Sequence, residues 1–363
     1  MSRLVGNSRF QKEANSYLIL NLIQKNPLSR TEIASELGLQ PSTVTYSVAR
    51  LLDLGIIKEG DVQPSYSNAG RKRYAIQINS SFGRVAGAEI DGNKFRLVIC
   101  DTCGSVVKSK VCMFSKLDSG SPAARFQSEV NQIVAEVTRL CSGFRILGVG
   151  ISVAGVIGQN GKSIRECWSQ SLWNADFSDF LGSFHFPVKL ENDARLCAGK
   201  FMSDKSLAYV LVKDSEIGGV AVGVGLVLGG RIYRGDCGRS GEYHASDMMY
   251  SGLFGKMQVN EKADDRSIAK SILSDAFSLV SVLDVSKLYL NFPPRFKELC
   301  TSLLSNELAA SSKALSNRIC SDVCEWDSAE GGARMMISEY LAVPQIGSVP
   351  RTWGLFAEMK KEA

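Results

Sequence analysis

The sequence lacks a long uninterrupted apolar segment, although apolar residues make up 45% of its 363 residues. A helix that spans a bilayer needs roughly 18 or more consecutive apolar residues, and no stretch reaches that length. The first residues, MSRLVGNSRFQKEANSY, contain no apolar core of the kind that a secretory signal peptide requires. We therefore expect a folded cytoplasmic protein, and a chain of this length has room for two or three domains.

Histidine is scarce, with two residues, and the ten cysteines are not arranged as a zinc site. Cys100 and Cys103 flank an apparent strand end, and Cys320 and Cys324 have the spacing of neighbours on a helix face. Neither pair has a second Cys or His pair at the spacing that tetrahedral zinc needs. We expect reduced cysteines that pack as small apolar side chains, with no metal and no cofactor.

Net positive charge is small outside one segment. Residues 1–80 contain ten Lys and Arg against six Asp and Glu, a net charge of +4, while the remaining residues together carry +1. Because the basic excess is concentrated in one fifth of the chain, we expect that part to contact a polyanion such as DNA.

Three helical patterns follow one another in this basic segment. The first helix ends near Lys25, before Asn-Pro, and its predicted inward face consists of Ala14, Tyr17, Leu18, Asn21 and Leu22. A capping box, Ser29-x-x-Glu32, opens the second helix, and Gly38 ends it. The third helix has Pro41 at its first position, where the missing N–H costs nothing. Its predicted buried stripe is Val44, Val48, Leu51 and Leu52.

The opposite face of the third helix carries hydroxyl, amide and guanidinium groups, which suit phosphates and base edges. We predict that its DNA-contacting residues are Gln40, Ser42, Thr43, Thr45, Tyr46 and Arg50. An ordinary solvated face would look the same. The next segment favours DNA, because strands at 55–58 and 74–78 flank a polar loop that ends in Arg71, Lys72 and Arg73. Two strands joined by a basic loop form a wing, and the pattern as a whole predicts a winged helix-turn-helix domain over residues 1–80.

From residue 84 onwards the pattern changes to short strands and amphipathic helices. Three strands at 85–90, 95–100 and 106–113 precede a helix and a buried strand at 146–153. A second series follows with strands at 207–212, 219–228 and 231–233, a helix over 268–283 and a strand at 287–290. Two copies of one strand–strand–strand–helix–strand unit predict a duplicated α/β domain with a cleft between its halves.

The whole chain resembles the regulator branch of the ROK family (repressors, open reading frames and kinases). The similar segments are GRKRYAIQIN at the wing, GVGISVAG (148–155), LENDARLCAG (190–199) and GGVAVGVGLVLGGRIYRGDCGRSGE (218–242). The resemblance implies an actin-like, hexokinase-type (ribonuclease H-like) α/β domain over residues 81–363, with lobes at about 81–200 and 201–363. It also implies a homodimer or homotetramer.

The same resemblance implies a sugar pocket. In the kinases of the family the aspartate of the END triplet takes the proton from the sugar hydroxyl, and that aspartate corresponds to Asp193. The remaining pocket residues would be Gly155, Asn192, Glu242 and His244. Two other interpretations stay open, because Asn192 and Asp193 could cap a helix that starts near Ala194 and Gly155 could serve a plain turn.

The chain departs from the kinase pattern at the phosphate and zinc sites. The kinases place D-x-G-x-T between their first two strands, whereas here Glu89-Ile90-Asp91-Gly92-Asn93 puts an acid where phosphate would approach and an amide where the threonine would cradle it. The segment after Glu242-Tyr243-His244 contains no cysteine as far as Val259, so the zinc ligands of the family and the glutamate that closes its sugar pocket are missing. Ser169 also stands where an asparagine is expected, if Trp173 is the equivalent tryptophan. We expect no catalysis and no metal.

Three functions remain to be compared. The first is a transcription regulator, such as a repressor of carbohydrate transport or catabolism genes, whose pseudokinase domain senses a sugar. The second is a regulator whose degenerate domain only dimerises or binds a protein partner. The third is an active sugar kinase with an appended head, against which the substitutions at Glu89, Asp91 and Asn93 stand.

Overall fold

The computed structural model describes residues 8–24, 26–63, 73–115, 120–214, 220–242, 264–306, 313, 315, 317–320, 322–342 and 355. Within these residues the helices are α1 (Ser8–Ile23), α2 (Arg30–Leu37), α3 (Pro41–Asp53), α4 (Pro122–Leu140), α5 (Ser178–Gly182), α6 (Asp193–Lys200), α7 (Asp265–Leu283), α8 (Pro294–Ser305) and α9 (Asp327–Tyr340). The strands are β1 (Ile57–Gln63), β2 (Arg73–Ile78), β3 (Arg84–Asp91), β4 (Lys94–Asp101), β5 (Val106–Met113), β6 (Ile146–Val153), β7 (Val156–Ile157), β8 (Ser163–Cys167), β9 (Leu172–Asp176), β10 (Val188–Asn192), β11 (Ser206–Asp214), β12 (Val220–Leu228), β13 (Arg231–Ile232), β14 (Lys287–Asn291) and β15 (Ile319–Cys320).

The N-terminal domain is the predicted winged helix-turn-helix. The capping box is present in both directions, since the Ser29 hydroxyl accepts from the Glu32 amide and the Glu32 carboxylate accepts from the Ser29 amide at 2.7 Å. Gly38 ends α2 with a φ of 61°, a left-handed conformation that favours glycine. Strands β1 and β2 pair antiparallel as the wing, and Leu28 bridges to Ile76 beside them.

The predicted inward face of α1 is wrong in part. Leu18 is 42% exposed, and the buried residues of the helix are Glu13, Ser16, Tyr17, Ile19, Leu20 and Ile23. The buried spacing Glu13–Ser16–Leu20–Ile23 rotates the core-facing stripe away from Leu18 and Asn21. Tyr17 is buried as predicted and Ala14 and Leu22 are half-buried, whereas Leu18 and Asn21 of the predicted set are exposed.

Two five-stranded sheets repeat one topology. The first has the order β10-β6-β3-β4-β5 and the second has the order β13-β12-β11-β14-β15, which is the same arrangement read from the other edge. In each sheet the first three strands run antiparallel, and the later strands add in parallel beside the first. The predicted duplication is confirmed, and the actin-like, hexokinase-type α/β class with it. A third sheet, β7-β8-β9, follows the first and was not predicted.

Amphipathic helices cover these sheets. On α4 the buried residues include Phe126, Val130, Ile133 and Val137, at the helical spacing predicted from the sequence. The last described helix, α9, packs against the first sheet although it lies within the second predicted lobe, 201–363. Within the described ranges, no helix is long and apolar enough to cross a membrane.

The expected helix under Cys320 and Cys324 is absent. Cys320 ends the short strand β15, where it pairs in parallel with Tyr289 of β14, and Cys324 lies in the irregular segment before α9. The spacing of four residues predicted a helix here, but Cys320 pairs with the edge of the second sheet instead. All ten cysteines are free thiols.

Candidate functional site

The outward face of α3 is the first candidate site. Val44, Ser47, Val48 and Leu51 bury one side of the helix in the domain core. Of the predicted DNA-contacting residues, Gln40, Ser42, Thr45 and Tyr46 are exposed, while Thr43 and Arg50 are partly buried. The Thr45 hydroxyl donates to the Pro41 carbonyl at 2.8 Å, so only its lone pairs remain for a partner.

Lys12 adds positive charge to this face, and the sequence analysis did not single it out. Its ammonium lies 5.4 Å from the ring centroid of Tyr46, which is 54% exposed, so α1 contributes a cation beside the helix. Of the predicted wing residues, Arg71 and Lys72 lie outside the described residues, and for Arg73 only the backbone, at the start of β2, is described.

The second candidate site is a cleft of about 840 Å³ between the two large sheets, called here the interlobe cleft. The ends of β3, β11 and β14 reach it, and α8 and the start of α9 complete its wall. Its lining combines four charged side chains, Glu89, Asp91, Arg96 and Lys213, with apolar side chains such as Phe292. Such a mixed, concave site is typical of a small-molecule pocket.

Lys213 joins the two acids that matter most for the predicted chemistry. Its ammonium lies 2.7 Å from a Glu89 carboxylate oxygen and 2.9 Å from Oδ2 of Asp193. Burial disfavours the charge on this ammonium, but attraction to Asp193 and Glu89 outweighs burial and raises the pKa of Lys213. The aspartate that corresponds to the kinase base is therefore held in an ion pair with Lys213, and Lys213 lines the interlobe cleft whereas Asp193 does not.

Arg96 neutralises the acids of the predicted phosphate site. Its guanidinium bonds to Asp91 at 2.8 Å and to Glu89 at 3.3 Å, and a second nitrogen bonds to Glu325 at 3.2 Å. Asp91 also lies 3.5 Å from the Lys94 ammonium. The sequence alone indicated uncompensated negative charge at these carboxylates, whereas in the structure Arg96 and Lys94 compensate it. The predicted phosphate site therefore contains acidic and basic side chains that are already paired with one another.

Asn192 has the capping role that the sequence analysis kept open. Its Oδ1 accepts from the Arg195 amide at 3.0 Å, and its Nδ2 donates to the Gly155 carbonyl at 3.2 Å. Helix α6 begins at Asp193, one residue before the predicted start at Ala194. A Cβ at Gly155 would lie 2.3 Å from the Glu166 carbonyl oxygen, so close packing of β8 also requires this glycine.

Arg195 fastens the loop that carries Glu242. The guanidinium, 1% exposed, donates to the carbonyls of Gly238 and Ser240 at 2.8 Å each and also bonds to Glu191 at 3.3 Å. Burial raises the pKa of Glu242 to about 7, and the charge of Arg195 opposes part of that rise. The carboxyl of Glu242 can therefore donate or accept a hydrogen bond near neutral pH. His244, the last predicted pocket residue, lies outside the described residues.

Lys213 and Arg195 were both missed by sequence reasoning. Lys213 follows the apolar run of β11, at the strand end where ligands bind in α/β sheets, and that position was a usable signal. Arg195 lies on α6 between Ala194 and the apolar residues Leu196 to Ala198, and a charged residue within such a run indicates a buried partner. In the described part of the chain no three His, Cys, Asp or Glu side chains are placed to hold a metal.

Comparisons with known proteins agree with this two-part architecture. Residues 13–58 match the winged helix-turn-helix DNA-binding family. The xylose repressor of Bacillus spizizenii is 26% identical over 258 residues, which cover 68% of this chain and 64% of the repressor. A ROK family transcriptional regulator, described as a homologue of the Escherichia coli MLC protein, superposes with a TM-score of 0.68 at 15% identity over 92% of this chain and 97% of that chain. A ROK family glucokinase from Streptomyces griseus superposes with a TM-score of 0.53 at 14% identity over 70% of this chain and 99% of that chain.

The molecule is thus a winged helix-turn-helix domain joined to a sugar-kinase-like α/β domain. The resemblance to ROK family transcriptional regulators predicted from the sequence is confirmed. The matched region spans less than two thirds of the length of the curated xylose repressors, at 64% of the first.

Proposed function

We propose that the protein is a DNA-binding transcription regulator whose ROK domain senses a ligand and does not transfer phosphate. The observation that carries this proposal is the two-sided α3. Its apolar side is buried in the helical core, and its other side presents exposed hydroxyl, amide and phenol groups. With DNA as its partner, the protein would act in the cytoplasm, as a repressor or another kind of regulator.

Arg50 gives a sharp test of the DNA interface. We expect Arg50→Ala to weaken binding to a mixed-sequence duplex uniformly and to reduce the slope of log Kd against log salt by about one ion, if the guanidinium contacts a phosphate. The matched control is Arg231→Ala, since Arg231 is an exposed arginine on β13 of the far sheet. Fluorescence anisotropy with a labelled duplex measures both quantities. An equal loss of DNA affinity in the two variants would contradict the assignment of α3 as the DNA-contacting helix.

We propose a carbohydrate as the ligand, with Asp193 and Glu242 as its hydroxyl-binding groups and with Gly155, Asn192 and His244 around them. The relatives named xylose repressors make a pentose the first candidate. Because Lys213 is bonded to Asp193 in the described structure, a sugar must displace that ammonium to reach the carboxylate. Thermal-shift measurements with xylose, glucose and N-acetylglucosamine test this step, since a ligand that binds the folded state raises the melting temperature.

The second candidate is a regulator whose ROK domain serves as a dimerisation scaffold or binds a protein partner. Asn192 favours it, because both polar atoms of its side chain are already bonded within the protein. No thermal shift with any of the three sugars at millimolar concentration would support this candidate over the sugar sensor.

Absence of phosphoryl transfer is the last part of the proposal. The pairing of Glu89, Asp193 and Lys213 supports it, because a general base tied to an ammonium and a phosphate site filled by side chains do not suit the reaction. A coupled assay for ADP release across hexoses and pentoses should stay at background. Turnover that disappears in Asp193→Asn would refute the proposal.

A further inference from the structure

We propose that α9 couples the interlobe cleft to the winged helix-turn-helix domain, called here the DNA-reading head. The first end of α9 contacts the elements of the cleft, and its second end contacts the head. This inference rests on the proposed function, because it says how a ligand in the cleft would alter DNA binding. It is carried by three sets of contacts along one helix of 14 residues. At 1.5 Å per residue the helix spans about 20 Å.

The first end of α9 is anchored at the interlobe cleft. The buried carboxylate of Asp327 accepts from the Tyr209 hydroxyl at 2.6 Å and from the Lys200 ammonium at 2.7 Å. Ser328 lines the cleft, and its hydroxyl lies 2.5 Å from that of Ser152 on β6. This end therefore touches β11, which carries Lys213 of the cleft wall, and also α6 and β6.

The middle of α9 is in backbone contact with its neighbours. A Cβ at Gly331 would lie 1.7 Å from the carbonyl oxygen of Leu196 on α6. A Cβ at Gly87 on β3 would lie 1.8 Å from the Ala329 carbonyl oxygen. Because backbone meets backbone without flexible side chains between, a shift of α6 or β3 has to move α9 as well. Helix α6 starts at Asp193, and β3 carries Glu89, so both carboxylates bonded by Lys213 sit on elements that α9 touches.

The second end of α9 is part of the core of the DNA-reading head. Tyr340 and the following Leu341 belong to the same continuous buried cluster as Tyr17 and Leu20 of α1. Nδ2 of Asn21 donates to the Tyr17 carbonyl of its own helix at 2.9 Å and to the Leu341 carbonyl at 3.4 Å. Helix α1 in turn packs on α3, whose outer face is the proposed DNA contact. A displacement of α9 therefore reaches the DNA-contacting helix through one intervening helix.

In this proposal α9 has two positions, and a change at the cleft alters DNA binding by shifting the equilibrium between them. Loss of the Lys213–Asp193 ion pair, whether by a ligand or by substitution, changes the relative stability of the two positions, and DNA binds them with different affinity. Coupling between sites of this kind is typically about 5–150-fold in binding constant.

A double-mutant cycle on the full chain tests the proposal. Lys213→Met perturbs the cleft end, and Asn21→Ala removes the hydrogen bond at the head end from an exposed position on α1. The matched control is Leu18→Ala, because Leu18 is 42% exposed on the same helix and lies outside the buried cluster that joins α1 to Tyr340 and Leu341. The readouts are hydrogen exchange of the α1 backbone amides and Kd for a mixed-sequence duplex.

We expect Lys213→Met to change α1 exchange and Kd by at least about 5-fold in the wild-type and Leu18→Ala backgrounds, and by clearly less in the Asn21→Ala background. No change at α1 with Lys213→Met, or the same change in all three backgrounds, would overturn the coupling. Failure of the wild-type chain to bind duplex DNA would instead refute the proposed function. The exchange cycle would still decide the coupling, because it needs no DNA.

Discussion

The ion pair of Lys213 with Glu89 and Asp193 supports a quantitative prediction. Glu89 and Asp193 have side chains only 5% and 11% exposed, so Lys213→Met leaves a nearly buried Asp193 without its ammonium partner and leaves Glu89 with Arg96 alone. Removing one partner of a fully buried pair costs about 3–5 kcal/mol, whereas an exposed pair contributes about 0–1 kcal/mol. The Lys213 side chain is 38% exposed, which places the expected cost between these limits, at about 2 kcal/mol.

Thermal unfolding at pH 8 measures this cost. A loss of about 2 kcal/mol lowers the melting temperature of a domain of this size by roughly 4 °C. Lys297→Met is the matched control, since Lys297 is an exposed lysine in the wall of the same cleft. A Lys213→Met variant as stable as the wild type at pH 8 would refute the reasoning.

Two further predictions concern stability. The folded-state pKa of Glu242, about 7, lies above its usual value, so this group makes the protein less stable as pH rises from about 4.5 to 7, by at most about 3 kcal/mol. Glu242→Gln should therefore raise the melting temperature relative to wild type at pH 8 and not at pH 4.5. The exposed control, Glu298→Gln, should leave the melting temperature unchanged at both pH values. Equal shifts for Glu242→Gln at both pH values would contradict the raised pKa of Glu242. Gly87→Ala should cost about 3 kcal/mol or more or prevent folding, because its Cβ would overlap a backbone oxygen of α9. Gly182→Ala should be tolerated, because its Cβ would meet only the Lys162 ammonium, at 4.0 Å. Chemical denaturation compares the two variants, and equal stability would contradict the close contact at Gly87.

Local sequence signals predicted much of the fold. The capping box at Ser29, the glycine at Gly38 and the strands β5 and β6 were found at their observed positions, because each depends on neighbours close in the chain. The duplication was likewise visible, since each sheet repeats the same order of apolar segments. Predictions of this kind succeed where local preference and tertiary packing agree.

Helix α9 and the β7-β8-β9 sheet were not predicted. Gly331 and Gly332 weaken the helical signal of α9, and they are tolerated because they let its backbone approach α6 and the first sheet. The role of Lys213 was hidden for a related reason, since Glu89 lies 124 residues away in the chain and meets it only after the two sheets pack together. Contacts between distant segments leave no periodic trace in a sequence.

The candidate site was predicted only in outline. Asn192, Asp193 and Glu242 were predicted from the family resemblance. The hydrogen bonds of Asn192 and Asp193 to Arg195 and Lys213, and the charge of Arg195 near Glu242, were not predicted. The pairing of Asp193 turns a position that resembles a catalytic base into one end of an interlobe ion pair.

Binding of the full chain to duplex DNA as a function of salt tests the central claim most directly. We predict measurable affinity at about 50 mM salt, with log Kd rising linearly with log salt and a slope equivalent to several released ions. No detectable binding at that salt concentration, or binding that does not depend on salt, would contradict a DNA-reading head.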